Sequence, residues 1–210
     1  MLIITSPPTY RPERQYIYAV LLGEFLGLDY VTRITDGSWI TITCQGDDST
    51  KSIMLPDVLF QTPDRDWASP STLPPLPLHE WIAPATLARP PLVPNRLPLL
   101  YSQPLYGNAF YEEKEGQIVL GLDLFGSAFF MLTRYEEWVL PHRDRHGRFP
   151  GRASVAGQAG LLERPIVNEY VELLWVCLKR LWSQLERKVR VSRVLPSHDV
   201  DWPYCAARMP

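Results

Sequence analysis

A chain of 210 residues has room for one large domain, or for one domain and part of a second. With 46% hydrophobic and 21% charged residues it has an ordinary globular balance and enough apolar residues for a real core. A net charge of −2 gives no reason to expect a nucleic-acid partner, and the short basic run at 187–193 suits the end of a helix, where it complements the dipole.

In chain order, Leu2-Ile-Ile4 predicts a buried strand ended by Pro7-Pro8. A helix is expected from about Pro12 to Leu26, with an apolar stripe of Ile17, Val20, Leu21 and Phe25 and with Gly27 to end it. Tyr30–Ile34 and Trp39–Cys44 alternate on either side of Asp36-Gly37, the pattern of a hairpin. Ser52–Leu55 predicts a further strand. Between Pro56 and Pro104 lie twelve of the 21 prolines, which forbid a regular helix or a central strand. That stretch also holds Phe60, Trp67, Trp81, Leu99 and Tyr101, so it is expected as an ordered, extended wrap rather than a disordered linker.

Gln117–Leu122 predicts a strand, and Asp123 is placed to cap a helix from Leu124 to about Val139. A charged loop follows at 142–148. Pro165 opens the longest helix, expected to reach Leu185, with Val167, Tyr170, Leu174, Leu178 and Leu181 on its core face and Glu169, Glu172, Lys179 and Arg180 on its wet face. A basic, β-branched strand is expected at 190–194.

The N-terminus lacks the basic region and long apolar core of a secretory signal, and no apolar run approaches the roughly 18 residues of a membrane span. Cys44, Cys177 and Cys205 have no metal-type spacing and are expected as free thiols in a reducing compartment. The expectation is a soluble, cytoplasmic protein with no membrane partner.

The stretch richest in chemistry is Leu195-Pro-Ser-His-Asp-Val-Asp-Trp-Pro203. On a strand Asp199 and Asp201 share a face, where two carboxylates can hold a divalent cation, or one can hold it while the other moves a proton. Ending a strand in a turn is the plainer use of the same residues. His142 and His146 have an i, i+4 spacing, but the intervening Arg-Asp-Arg and the following Gly147 argue for a solvated loop. Glu136 and Glu137 are adjacent and do not share a helix face, so a salt bridge from Arg134 or Arg148 is expected instead. Trp39, Trp67, Trp81 and Trp138 are expected to pack, sugar stacking being the alternative for any left exposed.

Val194-Leu-Pro-Ser-His-Asp-Val-Asp-Trp-Pro203 resembles the first motif of the polysaccharide deacetylase (NodB-type carbohydrate esterase) family. Phe125-Gly-Ser-Ala-Phe-Phe-Met-Leu-Thr-Arg-Tyr-Glu-Glu137, Asp144-Arg-His-Gly-Arg-Phe-Pro150 and Leu162-Glu-Arg-Pro165 resemble an uncharacterised domain found ahead of such catalytic domains in bacteria. The resemblance implies Asp199 as general base and Asp201 as ligand to a divalent metal, often zinc, acting on an acetylated carbohydrate. It also implies further ligands from a His-Ser/Thr-x-x-His motif that does not follow here. The expected arrangement is therefore an α/β accessory domain at 1–188, with a small mixed sheet, about three helices and the proline-rich wrap. Residues 189–210 would supply the first strand of a truncated deacetylase-like (β/α) barrel. The fragment alone is expected to be inactive, with its partner the catalytic domain of the complete protein and its metal bound only there. Two other readings stay open: a glycosyltransferase whose Asp-x-Asp holds a nucleotide sugar through a metal, and a non-catalytic interaction module.

Overall fold

The computed structural model describes residues 1–47, 50–87, 96–189, 191 and 193–199. The chain opens with β1 (Leu2–Ser6) and α1 (Arg11–Tyr18), and eight residues of π-helix (Ala19–Leu26) continue α1. Gly27 closes this helix at φ 68°, with its N–H on the Gly23 carbonyl. Glycine takes that left-handed conformation at no steric cost. Then come β2 (Tyr30–Ile34), β3 (Trp39–Cys44) and β4 (Ser52–Pro56). The proline-rich stretch holds β5 (His79–Ile82) and β6 (Arg96–Leu99), and β7 (Tyr111–Lys114) and β8 (Gln117–Leu120) follow. The remaining helices are α2 (Leu124–Leu132), α3 (Tyr135–Val139), α4 (Val155–Gln158) and α5 (Ile166–Leu181). The expected mixed sheet is present, with more helices than the three foreseen.

Six strands form one sheet in the order β2-β1-β3-β4-β8-β7, and β5 pairs with β6 apart from it. The hairpin expected around Asp36-Gly37 is not formed. β1 lies between β2 and β3, parallel to the first and antiparallel to the second. Residues 35–38 step over its end, where the Thr35 N–H donates to the Ser6 carbonyl at 3.0 Å. Burial explains the order. β1 places Leu2, Ile4 and Ser6 in the interior, whereas Val31 to Ile34 of β2 are exposed and suit an edge.

The core is built on one row of the sheet. Ile4 pairs with Ile42, Ile42 with Ile53, and Ile53 with Ile118, so four fully buried isoleucines run side by side across four strands. Cross-strand β-branched pairs of this kind stabilise a sheet by about 0.2–1 kcal/mol each. α2 packs against both α1 and α5, and α5 also meets the π-helical segment that continues α1 and touches β4. Within α2, Leu124 through Phe130 are all buried, as a helix apolar on every side must be. Asp123 caps it, accepting from the Gly126 N–H at 2.8 Å. A Cβ on residue 126 would sit 2.3 Å from that carboxylate, so only glycine fits there.

The single helix expected from Leu124 to Val139 is two. Thr133 turns both its N–H and its hydroxyl back onto the Phe129 carbonyl, and Arg134 adopts φ 54°. The break aims the Tyr135 ring into the core, where it is 3% exposed. α5 ends at Leu181, short of the expected Leu185, and Trp182 is fully buried with its indole N–H on Asp47 Oδ2 at 2.6 Å. Glu169 is not on a wet face. It is buried, and Arg164 grips both its carboxylate oxygens from Nε at 2.8 and 2.9 Å. The fixed guanidinium beside it, and the positive end of α5, make that burial tolerable.

Where described, the proline-rich stretch is an ordered wrap of short 3₁₀ turns and the β5–β6 ladder. Its carbonyls are fastened by tyrosine hydroxyls, two from the body and one, Tyr101, from the stretch itself. The Tyr10 hydroxyl donates to Thr62 O at 2.7 Å, Tyr101 to Thr72 O at 2.6 Å, and Tyr170 to Pro98 O at 2.6 Å. These bonds supply the partners that a chain poor in backbone donors cannot find in its own N–H groups.

After Trp182 the character changes. No described residue from 183 onward is in a helix or strand. Lys188 N–H still reaches the Leu26 carbonyl at 2.7 Å, but Val189, Val191, Val194 and Leu195 are 74–91% exposed. The strand expected at 190–194, the first of a barrel, is thus not formed among the described residues. A strand is completed by a hydrogen-bonded neighbour, and no described segment pairs with this one.

Candidate functional site

Asp199 and His198 stand exposed on this extended tail, and Asp201 lies outside the described residues. Among the described residues no group of three or more His, Cys, Asp and Glu side chains could hold a metal. A catalytic zinc takes about three protein ligands, so the described residues do not make that donor set. His142 and His146 lie on the exposed loop that their neighbours predicted. Asp144 Oδ1 organises it, accepting from the N–H groups of His146 and Arg148 at 2.8 and 2.9 Å. Glu137 pairs with Arg134 as expected, while Glu136 turns away to accept from the Val155 N–H at 2.6 Å. Trp81 is buried, and Trp67 stacks on Tyr10 with ring centroids 4.1 Å apart. Trp138 alone of the four is largely exposed, at 70%. Cys44 and Cys177 are free thiols; burial pushes Cys177 up to about 12, which keeps it a protonated, unreactive thiol near neutrality. Cys205 lies outside the described residues.

The described side chains that do converge sit elsewhere, at the carboxyl ends of β1 and β2. The loop at 7–10 leads from β1 into α1, whose first turn carries Arg11 and Arg14. Arg14 is 3% exposed and is held on every side. Its Nε donates to Thr9 O at 2.6 Å, and Nη1 and Nη2 donate to the two oxygens of Asp57 at 2.9 and 2.6 Å. Gln61 adds a donor to Asp57 at 3.0 Å. Beneath lies Asp123, fully buried, which accepts from the N–H groups of Val58, Leu59 and Gly126 at 2.8–2.9 Å. Burial, with repulsion from Asp57, pushes its carboxyl up to about 7, against the pull of those three donors.

Above the pair is a crevice of about 170 Å³ between α1 and the two strands. Arg11, Arg14 and Arg33 line it together with Ser6 and Tyr18, and no acidic residue does. The Tyr18 ring is 1% exposed and packs edge-on against Phe125 at 4.8 Å. Its hydroxyl has no hydrogen-bond partner among the described residues. Burial raises its pKa, against the opposing pull of the nearby Ser6 hydroxyl and Arg14 guanidinium. An open αβ sheet commonly offers its binding crevice at this place, outside the carboxyl ends of the strands.

A family model described as "Family of unknown function (DUF7033)" matches residues 1–183. The chain belongs to that family. No curated protein and no solved structure matches it. The span matched by the family ends beside the buried Trp182, while Leu185, Arg187 and Lys188 just beyond it still pack on or bond to the body. The crevice lies wholly inside that span, and the Asp-Val-Asp stretch lies wholly outside it.

Sequence reasoning passed over the crevice. One signal was present: Arg11-Pro-Glu-Arg14 puts two cations in the first turn of a helix, where the dipole disfavours them, directly after a strand and Ser6-Pro-Pro. Asp57 and the Tyr18 hydroxyl carry no local signal, because what matters about them is set by contacts distant in sequence.

Proposed function

We propose that residues 1–188 are the accessory domain of a metal-dependent, deacetylase-like hydrolase that removes acetyl groups from a carbohydrate, and that the tail leads into its catalytic domain. In this reading Asp199 is the base and Asp201 a ligand of the divalent metal, zinc by preference, with the remaining ligands supplied from outside residues 1–210. The observation that carries it is the tail. Four apolar side chains, Val189, Val191, Val194 and Leu195, are left 74–91% exposed immediately before Ser197-His-Asp-Val-Asp-Trp202. Such residues are costly in water and fit a strand whose neighbours belong to another folded unit. The resemblance of the motif to a deacetylase opening supplies the chemistry.

The test uses the full-length protein and an acetylated oligosaccharide. Acetate release that falls to background in Asp201→Ala, together with loss of bound metal, supports the reading. Unchanged metal content and turnover in that variant would exclude it, and binding of a nucleotide sugar without acetate release would favour a glycosyltransferase. A binding module is the second reading. It is favoured by a self-contained body whose convergent polar groups are those of the crevice.

A further inference from the structure

We infer that the crevice between α1 and the ends of β1 and β2 is a binding site for a phosphate-type oxyanion. The inference does not depend on the fate of the tail, and it assigns a ligand to residues that the deacetylase reading leaves without a role.

Charge comes first. Three arginines line the crevice, in a chain whose net charge is −2. Arg14 is neutralised by Asp57. Neither Arg11 nor Arg33 takes part in an ion pair among the described residues. Two uncompensated guanidinium groups therefore flank one small cavity, and Arg11 does so at the positive end of a helix. That placement is unfavourable unless an anion shares the space. Two positive charges match a dianion, and guanidinium donors suit phosphate oxygens.

The second observation is independent of charge. The Tyr18 hydroxyl is buried against the crevice with no hydrogen-bond partner among the described residues. Buried hydroxyls are nearly always satisfied, and one that is not calls for an explanation. Its raised pKa keeps it protonated, so it can donate to an anion oxygen but cannot compete with one as a negative charge. Ser6 at the end of β1 and Thr32 in the middle of β2 add two more hydroxyls to the same lining. The Arg14–Asp57 pair is the foundation. By pinning Thr9 and the 7–10 loop it fixes the mouth before any ligand arrives.

Size selects the ligand. About 170 Å³ is well below the roughly 300–1,000 Å³ of pockets that enclose drug-sized molecules. It holds one small group, either free phosphate or the phosphate end of an ester whose remainder lies in solvent.

The test titrates the 210-residue chain with inorganic phosphate by calorimetry, with chloride and acetate at matched ionic strength as controls. Saturable heat with phosphate and none with chloride or acetate is expected. Arg11→Ala/Arg33→Ala, both exposed positions, should weaken binding by about tenfold or more, the loss expected for charge-assisted contacts. Tyr18→Phe should keep the ligand-free melting temperature, since no bond is lost, yet bind phosphate more weakly. Glucose 6-phosphate separates the sources: tighter binding than inorganic phosphate assigns the site to an ester, and equal or weaker binding to the free ion. No heat beyond the chloride control, equal heat with acetate, or wild-type affinity in the arginine double variant would each overturn the proposal.

Discussion

Arg14 and Asp57 form a bidentate pair, Nη1 to Oδ1 at 2.9 Å and Nη2 to Oδ2 at 2.6 Å, across 43 residues of sequence. Both side chains are almost completely buried, so each charge depends on the other. The pair ties α1 and the loop before it to the start of the proline-rich wrap.

Asp57→Ala should therefore be among the most damaging single changes. It leaves a buried guanidinium unpaired, and a loss of about 3–5 kcal/mol is expected. Urea unfolding of the variant measures it. Arg14→Met with Asp57→Leu should cost much less than the sum of the two single changes, because the double variant strands no charge. Additive losses would mean that the two residues act separately.

Asp123 should make stability depend on pH. Its carboxyl is raised from 3.8 to about 7 in the folded protein, so the folded state holds this proton more tightly than the unfolded chain does. The sign follows from linkage: its contribution is fully present below about 3.8 and is lost as pH rises through about 7. Urea midpoints measured across that window should fall with rising pH. Asp123→Asn, which cannot ionise, should flatten this part of the profile while lowering stability overall through the weakened cap. A wild-type midpoint that rises through the window would contradict the assignment.

The wrap should loosen when a single hydroxyl is removed. Tyr170 donates to the Pro98 carbonyl at 2.6 Å and accepts from the Leu100 N–H at 3.4 Å. Tyr170→Phe leaves both buried partners unsatisfied and should cost about 1–3 kcal/mol. Hydrogen exchange localises the effect: the Leu100 amide should exchange faster, while the β3 and β4 amides should follow only the global change.

Trypsin should remove the tail and spare the body. Arg193 lies on an exposed stretch without helix or strand, whereas α5 and Trp182 are packed. Mass spectrometry should show early cleavage after Arg193. The trimmed product should keep its unfolding free energy to within about 0.5 kcal/mol, as for changes at surface positions with no special partner. A large loss would show that the tail belongs to the domain.

How much of this could be read from the sequence varied with the range of the interactions involved. β1, the helix from α1 through Leu26, β8, α2 and α5 follow from periodicity and caps, which are local. The order β2-β1-β3 does not, because alternation reports a face and not a neighbour. β7 leaves no such signal because Tyr111-Glu-Glu-Lys114 is a polar edge strand with little apolar alternation. The burial of Glu169 is not legible in its helical spacing because it depends on Arg164. The crevice was the least legible feature. Arg11 and Arg14 look like ordinary surface cations until Asp57, from beyond β4, arrives to neutralise one of them and leave the other bare.

The position of β1 bears on how the molecule is made. This strand precedes both of the neighbours it pairs with, and its register closes only when Tyr30–Ile34 and then Trp39–Cys44 flank it. During synthesis the segment at 2–6 thus waits for later-made chain, and nascent β1 must keep its apolar face away from other partners until then. The α1 and π-helical segments made in between bury Ile17, Leu21 and Leu22 in the same core as Leu2 and Ile4, and so offer that face its first cover.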